Sequence, residues 1–113
     1  MSVNLKVNIM IPKDYQQANN ILGMKTKRVI KNKRATYLQR NEDGIALVYH
    51  NTPVVTYHKD NSIKLNSGGY RSLTTKARMN SALGNRAYVF QKNHKWYLAA
   101  NGMNYSFIDG VII

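Results

Sequence analysis

The stretch Thr52–Asn80, TPVVTYHKDNSIKLNSGGYRSLTTKARMN, decides how the chain folds, because a hairpin, a Gly-Gly turn and a helix start follow one another in it. Two alternating runs, Val54 to Lys59 and Ser62 to Asn66, flank Asp60-Asn61. Asp and Asn tolerate the left-handed backbone that a two-residue type I′ turn needs at both centres, so the pattern predicts a β-hairpin. A loop of only Asp60-Asn61 pairs Lys59 with Ser62, His58 with Ile63, Tyr57 with Lys64 and Thr56 with Leu65. Side chains alternate across a sheet. One face then carries Val54, Thr56, Ile63 and Leu65 for a core, with His58 at its margin. The other carries Val55, Tyr57, Lys59 and Lys64, an aromatic and basic surface.

Asn66-Ser67-Gly68-Gly69 ends the second strand, and paired glycines allow positive φ and close backbone approach. The segment that follows predicts a helix, with Ser72 or Thr74 as N-cap and Gly84 as its stop. Leu73, Ala77, Met79, Ala82 and Leu83 approximate an apolar stripe, while Lys76 and Arg78 project elsewhere. A strand, a glycine turn and a helix N-terminus can form an anion site, although neither Walker nor Rossmann spacing is present.

The string HNTPVVTYHKDNSIKLNSGGYRSLTTKARMN resembles a segment of small proteins encoded by bacteriophages and prophages. In these a TYL strand precedes an LH-T-VVTY segment and an LNSGGW/Y-x-T-x-TTK-x-R-x-N core. The matching residues here are Thr36-Tyr37-Leu38, His50-Asn51-Thr52, Val54-Val55-Thr56-Tyr57 and Leu65 through Asn80, so the likeness spans roughly Leu22 to Asn80. Val48-Tyr49-His50 stands where such proteins often have Arg-Leu-His, so no role of that Arg carries over. Asp60-Asn61 replaces a frequent Asp-Gly turn. The resemblance implies a phage origin and assigns no biochemical activity.

Outward from this centre, the order of elements predicts an α+β fold. It is a twisted antiparallel β-sheet, a meander or an open barrel, with two short helices. Val3, Leu5, Val7, Ile9 and Ile11 alternate with polar residues as a half-buried strand stopped by Pro12. Asp14 caps a helix through Leu22 that Gly23 closes. Ala35 to Arg40 and Ile45 to His50 flank the loop Asn41-Glu42-Asp43-Gly44, and Asn51-Thr52-Pro53 turns into Val54. Beyond the second helix, Ala87 to Lys92 and Lys95 to Ala100 form a hairpin around Asn93-His94. Asn101-Gly102 turns the chain toward a strand at Tyr105 to Ile108. Asp109-Gly110 then leads into Val111-Ile112-Ile113, expected to pair with a neighbouring strand such as the first.

The 113 residues, 43% of them hydrophobic, predict one globular domain over 1–113 with a modest core. No cysteine is present, so neither disulfides nor thiolate metal sites hold the chain, and a reducing cytosol fits. Apolar runs are too short to span a bilayer, and MSVNLKVNIM lacks the apolar core of a signal peptide. The expected location is the cytoplasm of an infected or lysogenic bacterial host.

Charge is the strongest global feature. Seventeen Lys and Arg face five acids, a net charge of +12. Such an excess is compatible with a polyanionic partner: nucleic acid first, an acidic protein surface second, a membrane last. The densest basic run is Lys25, Lys27, Arg28, Lys31, Lys33 and Arg34, with no acid between Lys25 and Arg40. It reads either as a solvated loop with Val29 and Ile30 tucked into the core or as a phosphate-contacting arm.

Catalytic chemistry has little to build on. His50, His58 and Asp60 are the nearest thing to a small His-dependent nuclease, but Asp60 is already explained by the turn. The five acids are scattered over turns, so the sequence calls for no metal and no cofactor. Aromatics interleave with cations in Tyr57-His58-Lys59, Tyr70-Arg71 and Lys95-Trp96-Tyr97, as in proteins that stack unpaired bases while cations follow the backbone. Trp96 is expected in the core.

The resulting expectation is a non-enzymatic, basic, phage-derived protein that binds DNA or RNA mainly through phosphates. One patch comprises Lys25, Lys27, Arg28, Lys31, Lys33 and Arg34; a second comprises Tyr57, Lys59, Lys64, Tyr70, Arg71, Lys76 and Arg78. The alternative is an anti-defence inhibitor, of the anti-CRISPR type, that binds a host nuclease or effector protein. DNA against RNA, strand form and oligomeric state stay open.

Overall fold

The computed structural model describes residues 10–113, which form two helices and nine strands in two open antiparallel sheets. Most of the strand expected over Val3–Ile11 lies outside the described residues; Ile11 itself is buried.

Both helices start and stop where their capping chemistry dictates. Helix α1 (Tyr15–Leu22) begins at Asp14, whose carboxylate accepts the Gln17 N–H at 2.8 Å, and ends at Gly23. Helix α2 (Leu73–Leu83) is capped by Ser72, not Thr74: the Ser72 Oγ accepts the Thr75 N–H at 3.1 Å. Its buried residues are Thr75, Met79, Ala82 and Leu83, an i, i+4, i+7, i+8 stripe. Leu73 and Ala77, expected in the stripe, face solvent. Thr75 takes their place because its hydroxyl lies 3.0 Å from Ser72 Oγ and so enters the core satisfied.

The larger sheet contains β1 (Lys27–Val29), β2 (Thr36–Asn41), β3 (Gly44–Tyr49), β4 (Thr52–Tyr57), β5 (Ile63–Leu65) and β9 (Val111–Ile112). They lie side by side in that order, so the sheet is a meander extended at its far edge by the C-terminus. The final strand pairs with β5, Leu65 opposite Val111, as a terminal strand docked on a neighbour; its expected pairing with the first strand lies outside the described residues. Asp109 fixes that docking by accepting both the Ser67 N–H and the Ser67 hydroxyl, at 2.7 and 3.0 Å.

The β4–β5 hairpin departs from its expected register by one residue. Tyr57 pairs with Ile63, Thr56 with Lys64 and Val55 with Leu65. The cause is a three-residue loop: His58 donates to the Ser62 carbonyl, Asn61 donates to the His58 carbonyl, and Asn61 takes the left-handed φ of 71°. A slip of one exchanges the two faces of a strand. Val55 and Tyr57 therefore join Ile63 and Leu65 on the core face, while Thr56 and Lys64 share the other. Pro53 sits where β3 and β4 lose register between Leu47 and Val48, a bulge that spares it the need for an N–H. Gly44 is obligatory: its φ is +145°, and a Cβ there would run into the Tyr57 carbonyl.

The smaller sheet contains β6 (Tyr88–Lys92), β7 (Lys95–Ala100) and β8 (Met103–Ser106) in sequence order. Its turns, Asn93-His94 and Asn101-Gly102, have positive φ at both centres, as type I′ hairpins require. Val89, Trp96 and Leu98 enter one hydrophobic core with Leu38, Leu47 and Met79, so both sheets and both helices share a single apolar interior. Trp96 is only 4% exposed and packs edge-on against Phe107. The Asn80 side chain joins α2 to β6, donating to the Val89 carbonyl at 2.8 Å and accepting the Val89 N–H at 2.7 Å.

Candidate nucleic-acid interface

Strand direction gives the larger sheet two ends, and the acids are shared unequally between them. One end carries the turns Glu42-Asp43 and Lys59-Asp60-Asn61. Asp14 belongs to the same end: its neighbour Tyr15 lines a cleft with Arg40, Glu42, Asp43 and Lys59. Four of the five acids thus gather there. Asp60, fully exposed, has its pKa lowered by hydrogen bonds from Ser62. The opposite end carries residues 30–35, the turn His50-Asn51 and the turn at Ser67-Gly68-Gly69. Its one acid, Asp109, is engaged by Ser67.

Helix α2 runs away from this second end, and the groups around it define a belt of cations. Arg71, just before the helix, lies 5.6 Å from the Trp96 ring and 5.2 Å from that of Phe107, and Lys76 lies 5.9 Å from Trp96. Arg78 donates to Thr36 Oγ1 at 3.1 Å and lies 5.6 Å from the Tyr49 ring. The same hydroxyl donates to the Arg34 carbonyl, which holds the exposed Arg34 backbone beside Arg78. Further along, Lys31 and Lys33 line a cleft of about 350 Å³ with Lys13 and Ser81. Lys13 reaches α2 directly, donating from Nζ to the Ser81 carbonyl at 3.0 Å. These anchors are carbonyls, hydroxyls and ring faces, none of them charged, so they orient the cations without cancelling their charge.

The structure therefore divides both expected patches. Of the first, Lys31, Lys33 and Arg34 join the α2 belt. Lys25 precedes β1 at the acidic end, and Lys27 lies 4.2 Å from the Tyr37 ring on the face away from the core. Arg28 points the other way and donates to the Ile21 carbonyl at 2.8 Å, tying β1 to α1. The basic run is a short strand and a loop rather than a loop alone, with Ile30 buried and Val29 64% exposed.

Of the second patch, Arg71, Lys76 and Arg78 belong to the belt, and Tyr70 is exposed at the glycine turn beside a cleft of about 220 Å³. Lys59 is in the acidic-end turn, and Lys64 lies opposite Thr56 on the outer face of the sheet. Tyr57 is not a surface residue. It is fully buried, and its hydroxyl donates to the Pro12 carbonyl at 2.5 Å. Desolvation raises its pKa well above 10.0, with the Asp14 charge adding to the effect. A side chain with no exposed area cannot stack a base.

The fold keeps His50 and His58 apart. His50 and His58 flank opposite ends of β4, and His58 Nδ1 lies 2.8 Å from Ser62 Oγ. Among the described residues no three His, Asp or Glu side chains come together to hold a metal ion. No helix among them is long and apolar enough to cross a membrane.

Two features escaped the sequence. Lys13 is brought to the belt by tertiary packing and has no local signal. The face of the smaller sheet opposite Trp96 sets Tyr88 and Phe90 beside Tyr97; Lys95-Trp96-Tyr97 had marked the last, and the alternation in Tyr88-Val89-Phe90 could have revealed the other two.

Residues 12–113 match the family described as Kyanoviridae Gp96 protein, a phage family. No curated protein and no solved structure matches the chain.

Proposed function

Because the chain belongs to the Kyanoviridae Gp96 protein family, we propose that it serves its phage as a non-enzymatic nucleic-acid-binding protein that grips phosphates along the α2 belt. The observation that carries this reading is the segregation of charge. Arg71, Lys76, Arg78, Lys31, Lys33 and Arg34 are arranged along one helix, and four of the five acids lie at the far end. A polyanion approaching such a molecule is oriented before it touches, and multivalent phosphate binding is favoured by release of counterions. Phosphate contacts of this kind hold register and orientation without reading sequence.

The test is fluorescence anisotropy of the triple variant Lys31→Ala, Lys33→Ala, Arg34→Ala against labelled duplex and single-stranded DNA and RNA. Salt is varied from about 50 to 200 mM, where phosphate binding weakens steeply. These residues are exposed, and their side chains make no hydrogen bond among the described residues, unlike that of Arg28, so the variant is expected to keep its fold, with circular dichroism as the check. Affinity should fall for every sequence, and the slope of log K against log salt should flatten by about 0.7–0.9 for each phosphate that the variant no longer neutralises. An unchanged slope removes the belt from the reading. Absence of salt-dependent binding in the wild type redirects the charge to an acidic protein surface, as an anti-defence inhibitor of a host nuclease would require.

A further inference from the structure

The smaller sheet has a face that the fold does not need. Its inner side supplies Val89, Trp96 and Leu98 to the core. Cross-strand pairing builds the outer side in rows: Tyr88 beside Ala99 and Asn104, Phe90 beside Tyr97 and Ser106, and Lys92 beside Lys95 at the hairpin tip. Phe90 and Tyr97 are stacked, ring centres 5.5 Å apart and planes 24° from parallel. Tyr88 is 57% exposed, with the small Ala99 as its cross-strand neighbour. The outer face thus presents aromatic rings over one end and two ammonium groups over the other.

From this arrangement we infer that the outer face of the β6–β7–β8 sheet is a stacking platform for the unpaired bases of a single-stranded nucleic acid. Tyr88, Phe90 and Tyr97 take the bases, and Lys92 and Lys95 take the backbone. The inference rests on the phosphate-binding reading and adds to it the strand form of the ligand.

Three physical points favour this occupant. The face is electrostatically one-sided: no Asp or Glu occurs between Asp60 and Asp109, so nothing on the three strands repels phosphate. Tyr88 and Phe90 are two residues apart on one strand, about 6.8 Å. The stacking rise along a duplex strand is about 3.4 Å, so successive bases meet successive rings only when they are drawn out of the helix. The belt begins on the other side of the same hairpin. Trp96, on the inner side of β7 next to the Lys92–Lys95 tip, is the ring against which Arg71 and Lys76 lie, so a strand that rounds the tip past the lysines meets cations at the start of α2. The exposed Asn104 and Ser106 supply hydrogen-bonding groups in the same rows for base edges.

The experiment compares three probes on the full chain: oligo-dT or oligo-U of about twelve nucleotides, within the site sizes such platforms cover, a mixed-sequence duplex, and inorganic polyphosphate, which has charge but no bases. The variant Tyr88→Leu, Tyr97→Leu keeps apolar bulk and removes the aromatic faces, with circular dichroism melting as the check of folding. Single-strand affinity should drop about ten-fold or more while the salt slope stays as it was. Polyphosphate and duplex affinities should not move. If the double variant fails to fold, Tyr88→Leu alone decides the matter, and about a five-fold loss on the single strand is expected.

Unchanged single-strand affinity in a folded variant overturns the platform, as does an equal loss on polyphosphate. Wild-type binding to duplex and polyphosphate with no preference for single strands overturns it while leaving the α2 belt intact. Absence of salt-dependent binding to all three probes overturns both.

Discussion

Tyr57 and Tyr97 sit in similar local sequence, each in an alternating strand close to a lysine, yet one is wholly buried and the other lies on an open face. The difference belongs to the sheets that hold them. In the six-stranded sheet, β4 is a central strand, and its residues Val54, Val55, Thr56 and Tyr57 are all buried. In the three-stranded sheet one face meets the core along β6 and β7, so β7 keeps the alternation of an antiparallel ribbon with one wet side, while β8 is exposed throughout. Alternation along a strand states that there are two faces. What lies against each face is decided by residues far away in the chain.

This contrast can be broken most forcefully at Tyr57. Tyr57→Ala opens a cavity in the shared core and should cost about 3–5 kcal/mol in urea denaturation, whereas Tyr88→Leu on the open face should stay within about 0.5 kcal/mol. Equal costs at the two sites would erase the distinction between covered and open faces. Next in size is the seam between the two regions. Asn80→Ala leaves the buried Val89 N–H and carbonyl without their partner, and the loss should be about 1–3 kcal/mol. The expected companion is faster amide exchange at Val89, read by NMR; unchanged protection there would mean that β6 is held by something other than α2.

The smallest effect sharpens the comparison rather than breaking it. Tyr57→Phe keeps the packing and removes only the bond to the Pro12 carbonyl, at a cost of about 1 kcal/mol near neutral pH. Burial, reinforced by Asp14, raises the folded-state pKa of Tyr57 above the unfolded value of 10.0. The neutral phenol is therefore favoured by folding; its contribution is complete below pH 10.0 and is lost as pH rises through the folded pKa. Alkaline melts should show the wild type losing stability faster than Tyr57→Phe above pH 10.0, with no divergence on the acid side.

Much of the fold was legible because its punctuation is local. Asp14 and Ser72 start helices, Gly23 and Gly84 end them, and Asn93-His94 and Asn101-Gly102 adopt the positive φ values their hairpins require. Each of these features is decided within about four residues, the range over which caps and tight turns act. The candidate site was less legible. Lys31, Lys33, Arg34, Arg71, Lys76 and Arg78 were recognisable as cations, but that they line one helix was not. Lys13 carried no mark at all, and Tyr57 looked like a surface residue until the hairpin gained one more loop residue.

By itself the sequence determined the charge excess, the elements, their caps and most of their turns, because residue chemistry and chain stiffness act over short range. Only the tertiary structure decided the register at Asn61, the docking of the C-terminal strand on β5 through Asp109 and Ser67, and which face of each sheet stays open. Those outcomes depend on which apolar surfaces can be covered together, a balance struck between segments tens of residues apart that no local pattern encodes.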